Sequence, residues 1–358
     1  MNHMLPPTSV ETETNVQQKV LVVRLSAMGD IIHTLPAVAA LRKCFPNAML
    51  GWAVEERWAE LVKGCRQASP LGKPLADKVH TVNMKGWRQA LLSDGTWREI
   101  AAAVKELRCV EYDIAIDFQG SARSALLARL SRADSIYGFA EPRENVASMF
   151  YTKKILAAGR HVIEQNLSLV SAIAGGPVEL ADVEFSCDLT GEVAAKLAGE
   201  YAVINPGTGW GAKQWPAERY GEVAKRVADA TGLKFLINAG PGEESLANAA
   251  RQASGGAAQP LTCSPSELVS VLKRARLFVG GDTGPMHLAA ALRVPVVAIF
   301  GPTDPARNGP YGTRTIVLRN SASVTSLSHR NSPDEPMLEI TADEVTQAAL
   351  QLLRGRGE

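Results

Sequence analysis

The motif whose residue types most clearly could do chemistry is Gly280-Gly-Asp-Thr-Gly-Pro-Met-His287. It directly follows an apolar run. Proline and glycine at this position predict a helix start whose free backbone amides point outward. Such a helix end attracts phosphate groups. We therefore predict that the backbone amides of Thr283 and Gly284 bind a phosphorylated ligand. The alternative is an ordinary capped helix start, with Asp282 or Thr283 as N-cap.

Two further loops have a similar composition. Asn205-Pro-Gly-Thr-Gly-Trp-Gly-Ala-Lys-Gln-Trp-Pro216 allows a ligand to approach the backbone closely, and its Lys213 is a cation for a diphosphate. Asn238-Ala-Gly-Pro-Gly-Glu-Glu244 offers Glu243 or Glu244 to ribose hydroxyls. The alternatives are a solvated surface lysine and glutamates that complement a helix dipole.

Asp30 is the candidate for proton transfer. It ends Ser26-Ala-Met-Gly-Asp30, a loop that lacks the G-x-G-x-x-G spacing of a dinucleotide fingerprint. An ionised carboxylate there accepts a proton from a hydroxyl nucleophile. The alternative is that Asp30 is the N-cap of the following helix, although Pro36 permits a later start.

Four cations are candidates for binding an anionic acceptor. Lys85 and Arg88 lie in a loop-like stretch, Arg123 lies at the start of a helix, and Arg143 lies in Glu141-Pro-Arg-Glu-Asn145. The alternative is that they are scattered surface cations.

Strands alternate with helical patterns in two successive series, which predicts two mostly parallel sheets. We expect a disordered tail at 1–18, a first domain at 19–185, a second at 186–340 and a terminal helix at 341–358. With 38 Lys or Arg against 37 Asp or Glu, composition gives no sign of nucleic-acid binding. The five dispersed cysteines form no metal-ligand pattern, and no export signal or membrane span is expected.

These motifs resemble a known family, the ADP-heptose:lipopolysaccharide heptosyltransferases of glycosyltransferase family 9. The resemblance rests on Ser26 to Pro36, Ala115-Ile-Asp-Phe-Gln-Gly120, Lys213-Gln-Trp-Pro216 and Asp282 to His287. Within the family, Val54-Glu-Glu56 and the stretch from Arg143 to Tyr151 are most similar to heptosyltransferase I members. The glycine-rich loop after Asn205 is closer to other members.

The resemblance implies a GT-B fold. Two Rossmann-like domains face each other across a central cleft, and the C-terminal helix crosses back to the first domain. It also implies that Asp30 is the base, Thr208 and Lys213 contact phosphate, and Glu243 contacts ribose, with Asp282 to Gly284 and His287 in the donor loop. No cofactor and no essential metal are implied.

The implied function is inverting transfer of heptose from ADP-heptose to the Kdo of Kdo-lipid A, by a cytoplasmic enzyme that transiently contacts the inner leaflet of the inner membrane. A heptosyltransferase II-like or other GT-B transferase with another acceptor or nucleotide sugar remains open. So do a sugar-nucleotide epimerase on the same scaffold and a two-domain protein that only binds its ligand.

Overall fold

The fold is described by a computed structural model that covers residues 17–68, 72–90, 92–186, 193, 197, 199–326 and 332–355. All but two residues of the expected tail at 1–18 lie outside these ranges, as does much of the segment that links the two series of strands. Along the described part of the chain, no helix combines the length and apolarity needed to cross a membrane.

Two six-stranded parallel sheets form the framework, and Cys65–Gln67 pairs with Val183–Phe185 in a separate two-stranded antiparallel sheet. The strands are β1 (Lys19–Val23), β2 (Met49–Glu55), β3 (Cys65–Gln67), β4 (Lys78–Val82), β5 (Ile114–Asp117), β6 (Ser135–Phe139), β7 (Lys153–Ile155), β8 (Val183–Phe185), β9 (Tyr201–Asn205), β10 (Lys234–Asn238), β11 (Ala258–Leu261), β12 (Phe278–Gly281), β13 (Val296–Phe300) and β14 (Thr315–Arg319). The α-helices are α1 (Met28–Cys44), α2 (Ala59–Lys63), α3 (Met84–Gln89), α4 (Asp94–Arg108), α5 (Ala122–Leu130), α6 (Val162–Ala174), α7 (Ala217–Thr231), α8 (Glu244–Ala253), α9 (Pro265–Lys273), α10 (Gly284–Ala291), α11 (Pro305–Asn308), α12 (Glu335–Leu338) and α13 (Ala342–Arg354).

The two sheets repeat one topology. The first has the order β4-β2-β1-β5-β6-β7 and the second β11-β10-β9-β12-β13-β14, and all neighbours within each sheet are parallel. In both sheets the strand order reverses beside the first strand of the series, and ligands of open α/β sheets bind at the carboxyl ends of the strands at such a point. The predicted pair of Rossmann-like domains is confirmed.

Helices cover both faces of each sheet and form one continuous contact between the domains. α4 and α5 pack on the outer face of the first sheet through residues such as Leu107, Ala125 and Ala128. α1 packs on the opposite face and contacts α10 of the second domain. A single apolar cluster runs from β1 through these helices to β12, so the facing helix layers share one core.

The terminal helix does not follow the expectation that it crosses back to the first domain. Val345 and Ala349 of α13 are fully buried in the core that β13 and α7 share. The segment before α13 is fixed there, because the indole Nε1 of Trp215 donates to the carbonyl of Ile340 at 2.9 Å. The apolar stripe of α13 therefore completes the second domain.

Candidate active site between the two domains

The three predicted nucleotide-binding loops lie together at one edge of the second sheet. They follow β9, β10 and β12, which are adjacent strands. Two buried asparagines connect the first two loops, because the amide Nδ2 of Asn238 donates to Asn205 Oδ1 at 2.6 Å and Asn205 Nδ2 donates to the carbonyl of Gly207 at 2.8 Å. The loops are therefore held in place by the ends of the strands.

Lys213, Asp282 and His287 form one buried polar cluster. The ammonium Nζ of Lys213 lies 2.5 Å from Asp282 Oδ2, and His287 Nε2 lies 3.1 Å from Asp282 Oδ1. Burial opposes ionisation of Asp282, but the hydrogen bond from His287 and the charge of Lys213 outweigh it and lower the pKa of this carboxyl. Lys213 is thus a buried, paired cation rather than the mobile surface cation that its loop position predicts.

Glu243 and Thr208 lie at the same edge of the second sheet. The carboxylate of Glu243 accepts a hydrogen bond from the amide of Gly240 at 2.7 Å. It also lies against Gly207, where a Cβ atom would be only 2.1 Å from the carboxylate carbon, so the close approach needs glycine. The hydroxyl of Thr208 donates to the carbonyl of Trp210 at 2.7 Å.

Thr283 is the N-cap of α10, and its side chain makes no capping hydrogen bond. The start of this helix packs directly against the start of α1 in the first domain. A Cβ atom on Gly284 would lie 2.7 Å from Met28 Cβ, and one on Gly29 would lie 2.6 Å from the Cδ2 atom of His287. Two glycines therefore bring the N-terminal turns of the two helices into contact.

Asp30 lies in the first turn of α1, beside this contact. The helix begins at Met28 with Ala27 as N-cap, so Asp30 is not the N-cap, and α1 continues through Pro36. Its Oδ2 accepts from the amide of Ala27 at 3.2 Å, and its Oδ1 lies 3.2 Å from Nη2 of Arg24. The side chain of Asp30 is still 42% exposed, so the carboxylate is oriented and accessible to a ligand.

Sequence reasoning missed the residues that support Asp30. Arg24 is buried, and its Nη1 donates to the carbonyl of Phe118 at 2.5 Å. Gln119 Oε1 accepts from the amides of Leu25 and Ser26 at 2.8 and 3.2 Å. The signals in the sequence are a charged residue directly after the apolar strand β1 and the Gln119-Gly120 pair after β5, the strand that pairs with β1.

Asp117 fixes the loop that carries Gln119. Its carboxylate is fully buried and accepts hydrogen bonds from Tyr151 Oη at 2.7 Å and Ser124 Oγ at 2.9 Å. Burial raises the pKa of Asp117, while these hydroxyls and the amides of Gln119 and Gly120 oppose the shift. Asp117 therefore fixes the conformation of the loop that contains Gln119, at the edge of the first sheet.

The four predicted acceptor cations divide into two pairs. Arg143 lies at the loop that supports Asp30, because its backbone amide packs against Gly120, where a Cβ atom would be 3.0 Å away. Arg123 is on the exposed side of the first turn of α5, which follows the same loop. Lys85 and Arg88 lie in α3, a helix rather than the expected loop, after the edge strand β4. Arg123 and Arg143 therefore lie close to the loop that supports Asp30, whereas Lys85 and Arg88 belong to a helix that follows the edge strand of the sheet.

Three histidines meet where the domains touch. The ring centroid of His33, on α1, is 4.1 Å from that of His287 and 5.4 Å from that of His161. Nε2 of His161 lies 3.0 Å from the carbonyl of Gly309, which follows α11 in the second domain. Burial and the neighbouring histidines lower the pKa of His33 well below its ordinary value. His33 is therefore a neutral part of the domain contact.

Comparison with known proteins gives a consistent result. Residues 100–337 match the family model described as glycosyltransferase family 9 (heptosyltransferase). Lipopolysaccharide heptosyltransferase 1 of Pseudomonas aeruginosa is 34% identical over 84% of this chain and 83% of its own length. The solved structure of the E. coli heptosyltransferase WaaC with ADP covers 92% of this chain and 98% of its own, with a TM-score of 0.75 and 29% identity. The same enzyme with ADP-2-deoxy-2-fluoro heptose has a TM-score of 0.72 and 30% identity, over 92% and 98% of the two chains.

Proposed function

Because this chain belongs to glycosyltransferase family 9, the heptosyltransferases, we propose that it moves heptose from ADP-heptose to the Kdo of Kdo-lipid A. Heptose transfer in assembly of the lipopolysaccharide inner core accords with its relatives. One observation carries the site assignment: Asp30 of the first domain and the donor loop of the second lie on two helix starts that touch, through Gly29 and Gly284.

In the proposed reaction, the Asp30 carboxylate takes the proton of an acceptor hydroxyl as that oxygen forms a bond to the anomeric carbon. The bond from that carbon to the diphosphate breaks, and ADP leaves with the electron pair. A single displacement of this kind inverts the configuration. Asp30 suits the role because Arg24 and the amide of Ala27 orient it while its side chain remains 42% exposed.

The second domain would stabilise the charge that develops on ADP. The free amides at the start of α10, at Thr283 and Gly284, are donors for a phosphate oxygen. Lys213 is the cation at the same place, and Glu243 at the start of α8 is the acceptor for ribose hydroxyls. Thr208, in the loop after β9, directly follows Gly207, which packs against Glu243. No step in this scheme uses a metal ion or a cofactor.

On the acceptor side, we propose that Arg123 and Arg143 bind the carboxylate of Kdo, because both lie at the loop that contains Gln119 and Gly120. Lys85 and Arg88 would contact more distant anionic groups of the acceptor, since β4 is two strands away from β1. An acceptor embedded in a lipid bilayer would bring the enzyme to the cytoplasmic face of the inner membrane.

The test is acceptor-dependent release of ADP from ADP-heptose, with Kdo-lipid A as acceptor. The Asp30→Asn variant should lower kcat by about 100-fold or more, because it removes the general base while keeping the shape of the side chain. ADP affinity, measured by calorimetry, should not change. Asp343→Asn is the matched control, since Asp343 also lies in the first turn of a helix but on the far side of the second domain.

The outcomes separate the alternatives. Release without any acceptor, with a changed sugar as product, would indicate an epimerase. Turnover only with an acceptor that already carries one heptose would indicate a heptosyltransferase II-like member. A native chain that binds ADP but transfers nothing to either acceptor would contradict the proposal, and so would full activity in Asp30→Asn.

A further inference from the structure

The outer helix layer of the first domain exposes an unusual concentration of large apolar side chains. Among the described residues, five of the nine exposed large hydrophobics lie on this layer. They are Leu92, Trp97, Leu126, Val146 and Met149. We call these five residues the outer apolar surface. Soluble proteins rarely concentrate such side chains on one face without a binding partner.

The elements that carry this surface are neighbours. Leu92 and Trp97 lie just before and at the start of α4, Leu126 lies on α5, and Val146 and Met149 lie in the 3-10 turn Asn145–Phe150. α4 contacts α5, and α5 contacts the 3-10 turn. This layer covers the face of the first sheet that points away from the second domain. Neither the cleft nor movement of the second domain would therefore be blocked by a partner bound here.

Positive charge alternates with the apolar residues. Leu126 is one helical turn after Arg123, Val146 is three residues after Arg143, and Leu92 is four residues after Arg88. Residues 84–99, 119–126 and 141–154 together contain seven Lys or Arg and four Asp or Glu, whereas the whole chain has a net charge of +1. Two of those acids, Glu99 and Glu144, accept hydrogen bonds from Trp87 Nε1 and the amide of Ala122.

From this arrangement, we propose that the outer apolar surface inserts into the interfacial region of an anionic lipid bilayer. Exposed Trp, Leu and Met side chains flanked by Lys and Arg are the chemistry that binds such a surface. The proposal rests on the proposed function, because the same cations are the candidate contacts for a glycolipid acceptor. The membrane-binding proposal also identifies which side of the molecule faces the lipid. The acceptor loops are held at the bilayer, and the second domain stays in water.

The first experiment is co-sedimentation of the full chain with vesicles of phosphatidylethanolamine and phosphatidylglycerol, without substrates. The double variant Leu92→Asp, Met149→Asp should bind at least about tenfold more weakly than the native chain, because two apolar contacts are lost and two negative charges are added. Val324→Asp is the matched control, since Val324 is 76% exposed in the second domain and Met149 is 79% exposed. It should bind like the native chain.

The second experiment separates membrane binding from catalysis. With Kdo-lipid A in vesicles, the double variant should show a raised KM at unchanged kcat, whereas turnover of a water-soluble, deacylated acceptor should match the native chain. Equal vesicle binding by native chain and double variant would overturn the proposal, as would an equal loss in Val324→Asp. A change of oligomeric state in the double variant, measured by ultracentrifugation, would indicate that a second copy covers this surface instead. Absence of heptose transfer by a native chain that still binds vesicles would reject the proposed function alone.

Discussion

At the scale of single residues, Arg24 and the amide of Ala27 hold Asp30 and leave part of its carboxylate exposed. Arg24 Nη2 contacts Oδ1, and Arg24 Nε donates to the backbone carbonyl of Asp30 at 3.2 Å. Arg24 itself is buried, and burial lowers its pKa while the charges of Asp30 and Asp117 oppose that shift. Arg24 is thus a positioning residue, since it acts through Asp30.

Replacing Arg24 should affect the reaction more than donor binding. We expect Arg24→Met to lower kcat by about tenfold to a hundredfold, because a carboxylate that is no longer oriented loses part of the advantage of proximity. KM for ADP-heptose should stay within about twofold, since Arg24 contacts none of the donor loops. Steady-state kinetics at saturating acceptor measure both quantities.

Two comparisons distinguish positioning from a general loss of structure. Arg24→Lys keeps a cation and should recover part of kcat. Arg57→Met removes an exposed arginine that pairs with Glu55 at 3.0 Å, and it should leave both constants unchanged. A rise in KM as large as the fall in kcat would refute the role of Arg24 in orienting Asp30.

Most residues of the candidate site are close to a glycine-bearing loop after an apolar strand, which is why the sequence predicts Asp30, Lys213, Glu243 and Asp282. Arg24 and Gln119 were missed because their roles depend on contacts between residues 94 positions apart. The buried pairing of Lys213 was missed for the same reason, since its partner Asp282 is 69 positions away. Local patterns contain no information about such partners.

At the scale of elements, the contact between α1 and α10 depends on two glycines. The first turns of these helices approach each other so closely that a methyl group at Gly29 or Gly284 would overlap the opposite helix. Glycine normally weakens a helix relative to alanine by about 0.5–1 kcal/mol. The contact between the domains therefore requires residues that helix propensity alone would disfavour.

The Gly29→Ala variant tests this contact. We expect the added methyl group to push α10 away, because its Cβ would be 2.6 Å from Cδ2 of His287. The domains should then separate, with a larger radius of gyration in small-angle scattering and a kcat reduced by about tenfold or more, since base and donor loop move apart. Gly95→Ala is the control, because its Cβ meets only the Ser93 hydroxyl, at 3.4 Å. Unchanged scattering and kcat in Gly29→Ala would exclude a close contact in solution.

Alternation of strands and helices predicts the elements that surround the cleft, including the strands observed as β2, β4, β5, β6, β9, β10, β12 and β13. The sequence did not predict the short strands β3, β7, β8, β11 and β14, each at the edge of its sheet, or the helices α2, α3, α6, α11 and α12. Edge strands are short and half-exposed, so their hydrophobic pattern is weak. The stretch of α3 contains a glycine and polar residues, which is typical of loops, and Asn83 Oδ1 caps it by accepting from the amide of Gly86 at 2.9 Å.

At the scale of the whole molecule, the histidine cluster makes the domain contact sensitive to acid. His33 faces His287, His161, Arg24 and Arg307, and all of these disfavour a further positive charge there. Burial is the larger reason why its pKa is lowered. The native state therefore keeps His33 neutral at a pH where the unfolded chain already binds a proton.

Stability should consequently fall as pH decreases. Below the ordinary histidine pKa of about 6.5, the unfolded state takes up a proton that native His33 does not, so the free energy of unfolding drops by up to about 1.4 kcal/mol per pH unit. Urea unfolding between pH 7.5 and 5 measures the slope. His33→Gln should give a shallower dependence of the unfolding free energy on pH, because the unfolded variant no longer takes up a proton at position 33. Parallel slopes in the two proteins would contradict this assignment.

The pairing of two domains follows from chain length and the repeated strand pattern, whereas the docking of α13 does not. The sequence shows that α13 is amphipathic, but an apolar stripe fits a groove on either domain. The observed position depends on Trp215 and Arg219, whose side chains both donate to the carbonyl of Ile340 at 2.9 Å. A local sequence pattern does not predict a contact between residues that are 125 positions apart.

If Lys213 contacts the diphosphate as proposed, its ion pair with Asp282 would make donor binding an exchange of anions. The ammonium of Lys213 has a carboxylate partner that is buried with it, so an arriving phosphate would compete with an internal anion. A ligand with a single weak negative charge gains little from that competition, whereas a diphosphate brings more charge and more acceptor oxygens. The Asp282 carboxylate would therefore set a threshold that favours nucleoside diphosphates over monophosphates and simple inorganic anions, without any contact to the base or the sugar.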